Sequence, residues 1–306
     1  MKPSLVALSA IVVALGLVGF ASAAGSGADL VARIQVGPDS RPCSVAFAGG
    51  SAWASLFGTG EVVRIDPATN AVVARIKVDS QPCGITAAGG SVWVGNYTGS
   101  SVMRIDPGSN RVVRRFPVLR VYDVLVGHGS VWATSELGTV HRINPRRNRV
   151  VKTIRISGGA GGLAMTRNAV WVGQPGGSSV TRIDPRRNRA VRQLRAGTGS
   201  VWLAGAGDTL WVSNGGDNTV SRVDARSNRR VATIAVGARP ADAGIVKGHL
   251  WVPNLVDSTV SRIDPAANSV VETIPVGRSP FVIPDHATEL WSANWAGTEV
   301  WRMSPS

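Results

Sequence analysis

The side chains in this sequence that could do chemistry are few and scattered. Cys43 and Cys83 each follow a proline and lie 40 residues apart. Two cysteines alone do not make a metal site. They form a disulfide if the fold brings their Cα atoms within roughly 7 Å, and otherwise stay as two buried thiols. Asp123 and Asp242 are carboxylates that could hold a cation through water if they face one another. The histidines His128, His141, His249 and His286 show no His-x-x-x-His spacing. There is no Gly-x-Ser-x-Gly elbow, no phosphate-cradling glycine loop ending in Lys-Ser/Thr, and no Cys-x-x-Cys. No catalytic residue, metal-ligand set or cofactor is therefore expected from motifs.

Charge points to a partner class. Lys and Arg number 33 against 19 Asp and Glu, a formal charge of +14 carried mostly by Arg. Such a balance favours anionic partners such as nucleic acid, acidic polymers or anionic headgroups. Solvated turns that simply carry Arg are the alternative.

The scaffold that would carry these residues is repetitive. Trp53, Trp93, Trp132, Trp171, Trp211, Trp251 and Trp291 recur at intervals of 39 or 40. Ten or eleven residues after each comes an arginine: Arg64, Arg104, Arg142, Arg182, Arg222, Arg262 and Arg302. Each arginine opens a phrase such as Arg64-Ile65-Asp66-Pro67. In that phrase Asp starts a type I turn and Pro pre-sets its second residue. An asparagine recurs three residues on (Asn70, Asn110, Asn148, Asn188, Asn228, Asn268), as left-handed hairpin closure requires.

Each unit divides into four short strands with turn signals between them. In the second unit these are 83–88, 91–96, 101–106 and 111–118. Val92-Trp93-Val94 is apolar on both strand faces, which suits a sheet covered on both sides. The expectation is an all-β, seven-bladed β-propeller with four strands per blade, the seven Trp packing between blades. Leu30 to Gly37 resembles the fourth strands at 72–78 and 270–277, and the chain stops after a third strand. The N-terminal strand should therefore complete the last blade and remove the open edge.

Residues 1–23 read as a signal peptide. Lys2 precedes the apolar run Leu5 to Phe20, and Ala21-Ser22-Ala23 is a small-x-small cleavage site. The expected domains are a signal peptide over 1–23 and a propeller over 24–306. The mature chain should carry no transmembrane segment and lie outside the cytoplasm as a monomer.

Trp93-Val94-Gly95-Asn96, Trp211-Val212-Ser213-Asn214, Trp251-Val252-Pro253-Asn254 and Trp291-Ser292-Ala293-Asn294, with the Arg-Ile-Asp-Pro phrase, resemble the YVTN family of propeller repeats. That resemblance implies an extracytoplasmic propeller. The architecture is also similar to the virginiamycin B lyases. Their repeats carry Trp-Phe-Thr-Glu, and their eliminase chemistry needs a metal with His and Glu groups. A divalent cation is expected only under that alternative.

On such a scaffold, binding residues belong on the variable loops at the channel mouth. The second-to-third loops offer Phe57, Tyr97, Glu136, Gln174, Asn214, Asp217, Asn254, Asp257, Asn294 and Trp295; the fourth-to-first loops offer Arg41, Gln81, Arg120, Tyr122, Arg239, Arg278 and Phe281. Tyr97, Arg120, Tyr122, Trp202, Arg239, Arg278 and Trp295, with Asp123 and Asp242 on inner strands, are the candidate ligand set. Aromatics with arginine suit a polar or anionic small molecule; a protein partner is the other possibility. A second candidate surface is a rim of hairpin arginines on neighbouring units: Arg146, Arg147 and Arg149, then Arg186, Arg187 and Arg189, then Arg229 and Arg230. It should bind polyanions, nucleic acid included, weakly and with strong salt dependence.

Overall fold

Strands apolar on both faces can satisfy themselves only when stacked, and this chain stacks them in a ring. The computed structural model describes residues 28–305, in which 28 strands form seven antiparallel four-stranded sheets. The expected signal peptide over 1–23 lies outside the described residues. Among the described residues no helix is long and apolar enough to cross a membrane. Blades 1 to 6 take their strands in chain order, beginning with Pro42–Ala48 on the inside and ending with Ser269–Pro275 on the outside. Blade 7 is built from Pro280–Val282, Leu290–Asn294, Glu299–Ser304 and, as its outer strand, Asp29–Gln35. Asp29 pairs with Ser304 and Gln35 with Glu299, so the N-terminal strand closes the ring.

The seven motif tryptophans are buried to 3% exposure or less, and each packs on the next blade. Trp53 of blade 1 sits among Ile85, Val92, Val94 and Ile105 of blade 2. Trp93 sits in the same way among Val121, Val124 and Val131 of blade 3.

The arginine of the motif has a role that its spacing alone does not reveal. Each is the direct cross-strand partner of its Trp, as Trp53 is of Arg64 and Trp291 of Arg302. Its guanidinium lies 5.1–5.7 Å from that Trp ring centroid. It then reaches into the next blade. Arg104 Nη1 donates to Asn148 Oδ1 at 2.9 Å and to the Pro145 carbonyl at 3.1 Å. Arg64 and Arg142 clasp Asn110 and Asn188 in the same way. The recurring asparagines therefore do more than close a hairpin. Their φ is left-handed, from 48° to 57°, and their side chains accept the bond that ties blade to blade.

Blade 7 has no such hairpin, because its outer strand comes from the other end of the chain. Arg262 of blade 6 turns instead to Glu272 Oε2 at 3.3 Å, across its own blade. At the matching site the other blades carry Ala74, Arg114, Lys152, Arg192, Ala232 and, in blade 7, Ala32. The acid stands only where the clasp is missing.

Candidate functional site

The mouth is built on a repeated backbone device. Arg41, Gln81, Arg120, Arg239 and Ser279 are left-handed, with φ from 45° to 57°. This turns each carbonyl toward the neighbouring loop of its blade, where it accepts the N–H of Phe57, Tyr97, Glu136, Leu255 and Trp295 at 2.9–3.2 Å. The backbone is constant and the side chains on it vary. A second device works on the inner strands. A bulge between Val121 and Asp123 leaves Tyr122 unpaired at the mouth, and one between Pro280 and Val282 does the same for Phe281.

These devices bring aromatic rings from four blades together. Phe57 lies 4.6 Å from Trp295, Trp295 lies 5.4 Å from Phe281, Phe281 lies 5.0 Å from Trp202, and Trp202 lies 5.2 Å from Tyr122, measured between centroids. Together with Tyr97, Val121 and Cys83 they line a cup of about 190 Å³. Trp202 belongs to blade 5 but touches Tyr122 of blade 3 and Phe281 of blade 7, so its indole spans the channel axis. Glycine makes this possible. A Cβ on Gly162 would stand 2.8 Å from the Val201 carbonyl and 3.0 Å from Trp202 Cε3. The glycines of blade 4 therefore let the inner strand of blade 5 lean over the mouth.

Cys43 and Cys83 occupy the matching bulge positions of blades 1 and 2, with Cα atoms 5.0 Å apart, and are joined as a disulfide. Cys83 thereby forms part of the cup wall. Beside it, Tyr97 Oη donates to Glu136 Oε2 at 2.5 Å, and Arg120 pairs with the same oxygen and stacks 4.9 Å over the Tyr97 ring. The Tyr97 and Arg120 hydrogen bonds hold the Glu136 carboxyl below its ordinary value.

Beneath Trp202 runs a central channel of about 360 Å³, lined by inner strands of all seven blades. Asp123, Asp242 and Asp285 face it. Asp123 Oδ2 accepts from Leu163 N at 2.8 Å and Oδ1 from Val124 N at 2.7 Å. Burial nonetheless pushes its carboxyl up to about 6. Asp242 is raised well above the carboxylate range by burial and then by the charges of Asp123 and Asp285. Tyr122 is lifted to about 12, first by burial and then by Asp123.

The expected site residues thus divide. Tyr97, Tyr122, Trp202 and Trp295 line the cup. Arg120 is beside it but engaged by Glu136. Arg239 and Arg278 stand exposed on the mouth loops, outside the cup wall. Asp123 and Asp242 lie below, in the channel. Asp285 was not anticipated, because the short inner strand of blade 7 ends at Val282 and breaks the repeat there. The loop asparagines are structural: Asn214 Nδ2 donates to Thr219 and Ser221, and Asn254 Nδ2 to Thr259 and Ser261.

Among the described residues no three His, Cys, Asp or Glu side chains converge. His128 bonds the Thr166 and Ala169 carbonyls, His141 lies between Thr139 and Thr153, and His286 packs against Phe47.

No protein-family model matches this chain, and no curated protein matches it. Among solved structures, a streptogramin B lyase is similar with a TM-score of 0.79 at 13% identity, over 90% of this chain and 97% of that one. Kuenenia stuttgartiensis hydrazine synthase is similar with a TM-score of 0.78 at 14% identity, over 88% and 96% of the two chains. Virginiamycin B lyase from Staphylococcus aureus is similar with a TM-score of 0.77 at 15% identity, over 88% and 97%. At such identities the likeness is one of fold, and this chain is a seven-bladed β-propeller of the same architecture as those proteins.

Proposed function

We propose that this protein is an extracytoplasmic binding scaffold whose ligand sits in the aromatic cup. The observation that carries the reading is the convergence of Phe57, Trp295, Phe281, Trp202 and Tyr122 from four blades on one cavity. All five rings are half-buried, and they wall an apolar hollow that opens at the channel mouth. The cavity is smaller than the roughly 300–1,000 Å³ of sites for drug-sized molecules, so it suits one ring system. Arg41, Arg239 and Arg278 are exposed on the surrounding loops and have no ion pair among the described residues. They favour a ligand whose ring carries an anionic group. The YVTN-like repeat phrases, the signal-like N-terminus and the bridged cysteines support the location outside the cytoplasm.

The alternative, a metal-dependent eliminase like the streptogramin lyases, shares the fold. It needs a His and Glu donor set, and among the described residues no group of three such side chains is arranged to hold a metal ion.

Titration of the protein with aromatic carboxylates, read by tryptophan fluorescence and calorimetry, tests the binding reading. Saturable quenching that Trp202→Ala abolishes is the expected result. Binding that survives unchanged in Trp202→Ala and Trp295→Ala would place the ligand elsewhere.

A further inference from the structure

The hairpin arginines expected to form a rim are only one end of a larger surface. The ring sets the outer strands of neighbouring blades side by side, and on blades 2 to 5 these strands are themselves basic. Arg111, Arg149, Arg189 and Arg229 occupy one matching position on four successive blades. Arg114, Lys152 and Arg192 occupy a second, each opposite the motif arginine of its blade. Arg155 and Arg195 occupy a third, at the far end of the strand. All of these side chains are exposed. None has an ion pair among the described residues.

The same positions on the other blades are different. The outer strand of blade 6 carries Glu272 as its only charge. In blade 1, Arg75 is paired with Glu61 at 3.2 Å, and Lys77 Nζ donates to the Thr59 carbonyl at 2.7 Å. Blade 7 offers one acid, Asp29, and one arginine, Arg33, on its outer strand, the latter stacked over Trp301. An arginine-rich background would spread over all blades of a repeat, since their turns and strands are equivalent. The charge is gathered on one side.

Two clefts open between the basic blades. One of about 810 Å³, between blades 3 and 4, is lined by Arg142, Arg167, Arg182, Arg186 and Arg187 with one carboxylate, Asp184, which pairs with Arg187, while Arg167 pairs with Asp208. The other, about 700 Å³ and between blades 4 and 5, is lined by Arg195, Arg229 and Arg230 with one carboxylate, Asp217. Rows of cations thus run around the wall, and guanidinium-lined grooves run along it.

We infer that this wall binds a flexible, linear polyphosphate-type chain, wrapped across the outer strands of blades 2 to 5. The shape selects flexibility. Outer strands on a ring form a convex surface, which a stiff duplex meets along a narrow line, whereas a flexible chain follows the rows from blade to blade. This inference is independent of the mouth reading and shares no residue with it.

The test uses fluorescently labelled inorganic polyphosphate and anisotropy over a range of salt. The intact protein should bind, with affinity falling steeply as salt rises. Arg149→Gln/Arg189→Gln/Arg192→Gln should weaken binding about tenfold or more and lower the salt slope by roughly 2. Arg33→Gln/Arg75→Gln/Lys77→Gln removes the same charge from the opposite side and should leave affinity within about twofold. Circular dichroism confirms that each variant is folded. Equal losses in both variants would reduce the effect to net charge and overturn the assignment. Duplex DNA, or anionic vesicles, bound as tightly as polyphosphate at equal phosphate concentration would overturn the flexible-chain partner.

Discussion

Arg302, in the last blade, donates to Oδ1 of Asn70, in the first, at 2.9 Å across 232 residues of chain. The same guanidinium binds Glu289 and lies 5.6 Å from the Trp291 ring. This clasp and the pairing of the N-terminal strand are two of the polar links that shut the ring. A hydrogen bond to a charged group contributes about 1.5–3 kcal/mol when its loss strands a partner. Asn70→Ala should therefore lower unfolding stability by that amount in urea titration, and Asn268→Ala should do likewise through Arg222. No loss in Asn70→Ala would show that the closing strand alone holds the ring.

The Cys43–Cys83 bridge spans 40 residues and ties blade 1 to blade 2. A loop of that length corresponds to about 4 kcal/mol in the chain-entropy account. Intact mass before and after reduction should differ by two hydrogens. The Cys43→Ser/Cys83→Ser variant should melt at a lower temperature and, because Cys83 lines the cup, bind aromatic ligands less tightly.

Asp242 has no hydrogen bond to its carboxyl among the described residues, and burial with the charges of Asp123 and Asp285 raises it well above 3.8. A carboxyl raised in this way holds its proton more firmly in the folded chain. Its stabilising contribution is complete below the unfolded value and is lost as pH rises through the folded one. At neutral pH this raised carboxyl opposes folding, because the unfolded chain releases its proton more readily. Asp242→Asn should thus be more stable than the native chain at pH 7.5, and the difference should close by about pH 4. Carboxyls held below their ordinary values, such as Glu136 and Asp217, act in the opposite sense, so the comparison is made between the two proteins at each pH.

Gly162 gives Trp202 its place. A methyl group there meets the Val201 carbonyl at 2.8 Å and the indole at 3.0 Å. Gly162→Ala should displace the indole, change the near-ultraviolet dichroism and abolish binding in the cup. The far-ultraviolet spectrum should be unaltered, since the inner strand of blade 4, Leu163–Thr166, starts one residue later.

Much of this architecture is legible in the residues because its rules are local. The Trp-to-Arg interval is a cross-strand pair separated by one loop, and the Asp-Pro and Asn positions are the turn that follows, so seven copies announce seven blades. The closing strand is recognisable as a seventh copy of the outer-strand pattern. The clasp between Arg and the next blade's Asn is not legible, although both residues recur. They lie 44 to 46 residues apart and meet only through the stacking of blades.

The mouth shows the same boundary more sharply. Loop position alone marks Tyr97, Tyr122 and Trp295 as variable residues on a constant frame. That Trp202 crosses the axis to join Tyr122 with Phe281 depends on the curvature of the ring and on the close approach of blade 5 to Gly162. So does the separation of the cup from the acidic channel below it. By itself the sequence determined the fold, the number of blades and the closure, since each follows from contacts within a repeat or between adjacent strands. The meeting of side chains from blades 1, 3, 5 and 7 was decided by the tertiary structure, because distances across a ring are set by how all its blades pack.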